Sequence, residues 1–393
     1  MTNPRSGPLR VLLVVPPLAG HVHPAIALAD ELAARGHQVA WAGDGPVLRG
    51  LLGPADQVIS TGSRLFRPQG GSGTAAIRTL WEGFVLPNAK FTRRGLERAI
   101  ADWRPDLLLV DQHTPMGALL AQRHGLPWIS LAPSAMELGE PLERDPELAG
   151  WLPGLLRELS AQVGIPAAAY QDPRFSPRLV LAFTGRELAG PAGLPPQVAL
   201  VGPLLGRRPA APDFPWERLD PDRVPVLVTL GTLAAEVAGD FHRRAAEALR
   251  PLAGRVQGIV AAPPQVLAGL PEFLIGVERF PLLDLLARTR PGAVLCHAGM
   301  NTVMESLAHG VPLVLAPIRH DQPIAADQVE RAGAGLVVDF TGADPAELRR
   351  ALTAVLDQPG YRAAAERISR SFPAEGGART AVDAIEETVV HLS

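Results

Sequence analysis

Between residues 11 and 42 the chain reads strand, helix, strand: VLLVV, then HPAIALADELAARG, then HQVAWA. The first run is apolar throughout and rich in valine, the signature of a strand buried on both faces in a parallel sheet. Pro24 is expected at a first helical position, Ile26, Leu28, Ala29 and Leu32 supply an apolar face, and Gly36 stops the helix. The same alternation returns at 104–110 (strand), 114–124 (helix) and 126–130 (strand). Two stretches, about 45–98 and 133–177, look irregular. Six prolines between Gly202 and Pro225 then mark a boundary, because proline stiffens the chain and donates no ladder hydrogen bond. Beyond it strands are expected near 224–230, 256–261, 293–296, 312–317 and 335–339, with helices between them and two more at the end. No repeat is visible, yet both halves share one grammar. Two doubly wound α/β domains are the expectation.

Composition removes several function classes. The chain has 393 residues and a net charge of −3, which argues against a dedicated binder of nucleic acid. Lys90 is the only lysine among 37 basic residues, so no GxxxxGK phosphate loop can be written. Cys296 is the only cysteine, which excludes an internal disulfide and a thiolate metal cluster. The first apolar run breaks at Pro16 and Pro17, a poor signal peptide, and no segment approaches the roughly 18 apolar residues of a spanning helix. A cytoplasmic protein without a transmembrane segment is expected. Monomer and homodimer stay equally open.

Open α/β sheets bind ligands beyond the carboxyl ends of their strands. That rule selects His21, Asp111, Gly231–Thr232 and the stretch from His297 to Thr302. The first strand–helix turn, PPLAGHVHP, lacks GxGxxG, which disfavours a dinucleotide dehydrogenase. The most informative segment is CHAGMNTVMESLAHGVPLVLAPIRHDQ, residues 296–322. A buried strand ends in His297, Gly299 follows, and a helix opens with Asn301 and Thr302. Helix N-termini bind phosphate without lysine, and Glu305, one turn on, suits a ribose diol. Asp321 and Gln322 follow the next strand. Taken alone, Asn301 and Thr302 read more readily as ordinary N-cap residues, and it is the ordered set of His, Gly, Asn, Thr, Glu and then Asp-Gln that points to a ligand.

HAGMNTVMES with HGVP and DQ resembles the donor signature of family 1 glycosyltransferases, inverting enzymes of the GT-B fold. GHVHP at 20–24 and VTLGT at 228–232 resemble two further motifs of that family, in order. The likeness is to the microbial natural-product members, of macrolide and polyketide type. It implies two Rossmann-like domains facing across a cleft: residues 1–205 for the acceptor, a linker at 206–223, and 224–376 for the nucleotide sugar. A last helix, 377–393, would return to the first domain. The resemblance implies His21 as catalytic base and Asp111 as the carboxylate orienting it. His297, Gly299, Asn301 and Thr302 would hold the diphosphate, Glu305 the ribose, and Asp321 and Gln322 the sugar hydroxyls. Thr232 would approach the donor. Where the family usually has Trp-x-Pro-Gln beside the base, this chain has Arg279, Phe280, Pro281 and Leu282, so that Arg279 would stack on the pyrimidine. This form leans towards deoxythymidine over uridine diphosphate sugars.

The implied reaction is one in-line displacement by an acceptor hydroxyl, with no cofactor and no metal, the nucleotide diphosphate sugar being a co-substrate. Trp81, Phe84 and His320 are acceptor-site candidates, although core packing suits the two aromatic residues at least as well. Three other readings compete. A nucleotide-sugar epimerase or a non-catalytic helper of the same fold has no need of the His21–Asp111 pair. A metal hydrolase would use His21, His23, Asp111 and His113, but the proline-rich break speaks against the single barrel it requires.

Overall fold

The computed structural model describes residues 7–62, 73–134, 138, 146–190, 193–208, 212–231 and 239–390. They divide into two compact units. The described residues of 1–186, 191–209 and 374–393 form the first, and those of 187–190 and 210–373 the second.

The first unit is built on seven parallel strands: β1 (Arg10–Val14), β2 (Gln38–Gly43), β3 (Gln57–Ser60), β4 (Leu107–Asp111), β5 (Trp128–Ala132), β6 (Val180–Ala182) and β7 (Val198–Leu200). Their order across the sheet is β3-β2-β1-β4-β5-β6-β7. The second unit has six: β8 (Val224–Thr229), β9 (Val256–Ala261), β10 (Ile275–Val277), β11 (Ala293–Cys296), β12 (Leu313–Leu315) and β13 (Gly335–Val337). Their order, β10-β9-β8-β11-β12-β13, repeats the first pattern. The central strands are buried along nearly their whole length, which is why their sequences are apolar without alternation. In each sheet the strand order reverses once, between β1 and β4 and between β8 and β11. Such a switch point opens a crevice beyond the strand ends.

Two expectations about local structure need correction. The first helix spans Ala19–Ala34 and so starts five residues before Pro24. The carbonyl of Leu18 accepts from the amides of His21 and Val22, at 2.9 and 3.0 Å, and closes a turn ahead of the proline. Proline has no N–H, so only the Gly20 carbonyl loses its helical donor. His21 therefore sits inside the first turn. The stretch from 45 to 98 is also more regular than it reads. Asp44 caps a helix at Gly45–Leu51, its Oδ1 accepting from the Val47 amide at 3.0 Å. Helical turns then run from Gly73 to Trp103, interrupted by a π-turn at Trp81–Val85.

The helix Gly377–Val390 belongs to the first unit. Ala381, Val382 and Ile385 are fully buried in the core that also takes Ile26, Leu28 and Leu32. Arg35 fixes its outer edge through Asp383 at 2.6 Å and Glu386 at 2.9 Å. No helix among the described residues is long and apolar enough to cross a membrane.

Candidate active site

In the first unit the switch point is occupied by a histidine and a carboxylate. Asp111 is the last residue of β4 and almost wholly buried. Its Oδ2 lies 2.8 Å from Nδ1 of His21, which follows β1. Its Oδ1 accepts from the backbone N–H of His113 at 2.8 Å, an Asx turn that stops the carboxylate from rotating. The Thr114 hydroxyl anchors the same turn, donating to the carbonyls of Val14 at 3.0 Å and Asp111 at 2.8 Å. With Nδ1 donating to the carboxylate, Nε2 of His21 keeps a lone pair. The side chain is 13% exposed, so this ring reaches solvent while its partner does not. Behind it the His113 ring packs at 4.8 Å between centroids, tilted 43°, and Trp81 meets His113 edge-on at 5.8 Å.

The second unit puts a different set of groups at its own switch point. His297 follows β11, and Gly299 is the N-cap of the helix Met300–Ala308. Asn301 and Thr302 thus lie within the first turn, and no side chain caps the helix. Its first amides keep their donor capacity for a ligand. The ring of His297 stands in a slot made by two glycines. A Cβ at Gly299 would come within 2.6 Å of Nε2, and one at Gly231, where φ is +69°, within 2.7 Å of Cε1. Ala298 holds the turn with φ at +62°, an uncommon conformation for a residue with a side chain. Burial pushes the His297 imidazole down to about 4; Asp321 and the Thr229 backbone oppose that shift, and Arg319 adds to it. The ring is neutral near pH 7, and its buried Nδ1 has no hydrogen-bond partner among the described residues.

Residues 209–373 match the family model described as UDP-glucoronosyl and UDP-glucosyl transferase. Over 97% of this chain and 99% of the relative, the sequence is 30% identical to 4'-demethylrebeccamycin synthase of Lentzea aerocolonigenes. The chain belongs to the UDP-glucoronosyl and UDP-glucosyl transferase family. This glycosyltransferase has the GT-B fold: it aligns with the solved glycotransferase of kitacinnamycin at a TM-score of 0.78, with 27% identity, covering 98% of this chain and all of that one. A spinosyn rhamnosyltransferase complexed with thymidine diphosphate aligns at 0.76, with 26% identity over 96% of this chain and all of that one.

The matched span of the glycosyltransferase contains every donor-side residue singled out in the sequence and neither His21 nor Asp111. Glu305 is buried one turn into the His297 helix. Asp321 is the N-cap of the helix Gln322–Arg331. Gln322 is buried and closes the preceding turn, its Oε1 accepting from the amides of Ile318 and Arg319 at 2.9 and 3.0 Å. His320, just before Asp321 in sequence, takes φ +59°. Arg279 is exposed, Phe280 is buried, and Leu282 opens the helix Leu282–Thr289. Thr232 lies outside the described residues.

Trp81 and Phe84 are fully buried in the first unit. Trp81 packs on His113, which in turn packs on His21, and Phe84 presents no surface to a ligand. The sequence had offered His113 only as a metal ligand, together with His23. Its contacts with both Asp111 and His21 went unrecognised, although Asp-x-His after a strand is a legible Asx-turn pattern.

Proposed function

We propose that this glycosyltransferase moves a sugar, with inversion, from a uridine or deoxythymidine diphosphate sugar to a hydroxyl of a small, largely apolar acceptor such as a natural-product aglycone. The observation that carries the reading is the 2.8 Å contact between His21 Nδ1 and a carboxylate that has no freedom to turn away. An acceptor hydroxyl is a weak nucleophile near neutral pH, and an imidazole lone pair at Nε2 is suited to take its proton as attack proceeds. Asp111 holds the Nδ1–H tautomer and offsets the imidazolium charge that then develops.

The departing nucleotide diphosphate gains negative charge as the anomeric bond breaks. The first-turn amides at Met300, Asn301 and Thr302 and the helix dipole meet that charge. His297, neutral and locked between Gly231 and Gly299, contributes a directed hydrogen bond rather than a cation. Glu305 takes the ribose, Asp321 and the Gln322 amide take sugar hydroxyls, and Arg279 lies over the pyrimidine. The named relatives support the acceptor class, and the thymidine diphosphate complex of the spinosyn rhamnosyltransferase supports the donor class. An epimerase of this fold would keep the diphosphate groups but would have no use for His21 and Asp111.

The decisive test is His21→Ala. Transfer to a competent acceptor falls by about 10²–10⁴-fold, while nucleotide diphosphate affinity by calorimetry stays at the wild-type value. Undiminished transfer would remove the base role.

A further inference from the structure

The side chains around the base include a third group that the transfer reaction does not use. One ligand atom each from His21, Asp111 and His113 lies within 4.8 Å of the other two. His23, part of the four-residue pattern in the sequence, is not in the group. Two imidazoles and a carboxylate, with one position left over, are the donor set of open zinc sites. A tetrahedral zinc ion with bonds of about 2.0–2.1 Å holds its ligand atoms about 3.4 Å apart. Closing this trio therefore takes little more than an ångström of ring rotation at its widest separation.

We propose that His21, Asp111 and His113 bind Zn²⁺, and that the bound ion switches the base off. Asp111 is already prepared as a ligand, because the His113 amide holds Oδ1 and leaves Oδ2 pointing at His21. Asp111 and His113 are buried, whereas the His21 ring is partly exposed and offers the way in. On binding, Zn²⁺ exchanges three of its waters for Nδ1 of His21, Oδ2 of Asp111 and one ring nitrogen of His113. The Nδ1 proton of His21 moves through solvent to Nε2, and nothing is oxidised or reduced. The atom that must accept the hydroxyl proton becomes a donor, so zinc competes with the acceptor and leaves the second unit's nucleotide site alone. The zinc site stands on the geometry of the three side chains; only its inhibitory effect rests on His21 being the base.

The test titrates Zn²⁺ alone into the metal-free full-length chain by calorimetry, in a buffer that does not chelate. One ion binds per chain, and His113→Gln weakens it by roughly tenfold or more, since even outer-shell changes cost that much at zinc sites. Equal affinity in the variant overturns the site. Should that variant fold poorly, Co²⁺ titrated into the wild-type chain broadens the imidazole proton signals of His21 and His113 before those of the other histidines; a different order overturns the site equally. The transfer assay then separates the two claims. Inhibition whose midpoint follows the zinc affinity and reverses with EDTA supports the switch. Undiminished transfer with zinc bound at these residues overturns the switch and the base assignment while leaving the metal site in place.

Discussion

His297 and Gly299 are two residues apart in the chain and in steric contact in space: a methyl group on the glycine would sit 2.6 Å from the ring's Nε2. The backbone of Gly231 approaches the same edge of the ring, where a Cβ would come within 2.7 Å of Cε1. Gly299→Ala therefore turns the imidazole out of its slot. Overpacking of this kind costs about 1–3 kcal/mol, and nucleotide diphosphate affinity falls by roughly tenfold or more if the ring is the ligand we assign. Calorimetry beside a thermal melt separates the two effects, and a variant that binds the nucleotide as wild type does would detach His297 from the diphosphate.

His21 and Asp111 touch at 2.8 Å, and in the proposed mechanism they work as one unit, so their substitutions are expected to be non-additive. Asp111→Asn leaves His21 in place but lets the ring take either tautomer. It slows transfer by less than His21→Ala does, and the double variant is no slower than His21→Ala alone. A double variant whose loss equals the product of the two single losses would mean that the residues work separately.

The strands and the helix-start loop at 297–302 were legible because each rests on a local rule. Unbroken apolar runs such as LLLV and AVLC read as strands covered on both faces, and each leads into a polar residue, Asp111 or His297, at a switch point. The helices between 45 and 103 were obscured by glycine, proline and charge. Asp44 and Pro46 form a good N-terminus, yet the π-turn at Trp81–Val85 breaks the apolar period that would have revealed the rest. Pro24 misled for a similar reason: proline marks a first turn only when no upstream carbonyl has already started the helix, and Leu18 had. The contact of His113 with His21 joins residues 92 apart, and no local pattern encodes it.

The last helix is part of the first unit's core, so damage there reaches the site through the helix that carries His21. Ile385 is fully buried among residues of Ala19–Ala34. Ile385→Ala leaves a cavity and costs about 2–4 kcal/mol by denaturant titration. A loss under about 0.5 kcal/mol would show that the helix does not dock as described.

In the proposed mechanism a helix end and a neutral imidazole hold the diphosphate, and no divalent ion is then needed to neutralise it. Transfer rates in millimolar EDTA equal those in untreated buffer, or exceed them where trace zinc was present. A rate that collapses in EDTA and returns only with added Mg²⁺ would remove the helix-end account of leaving-group stabilisation.

The neutrality of His297 links stability to pH. Its folded value, about 4, lies below the usual histidine value near 6.5 because burial disfavours the cation. Between those two values the unfolded chain binds a proton that the native state refuses, so stability is fully present above about pH 6.5 and drains away as the pH falls towards 4. The loss from this group between pH 7 and 5 is about 2 kcal/mol. His297→Gln removes the titration and flattens that part of the profile, measured as urea-unfolding free energy against pH. The same neutrality means that donor affinity does not rise between pH 8 and 6, as it would if an imidazolium faced the phosphates. An affinity that climbs steeply over that range, and loses its slope in His297→Gln, would show that the ring charges on binding and would replace the directed hydrogen bond with an ion pair.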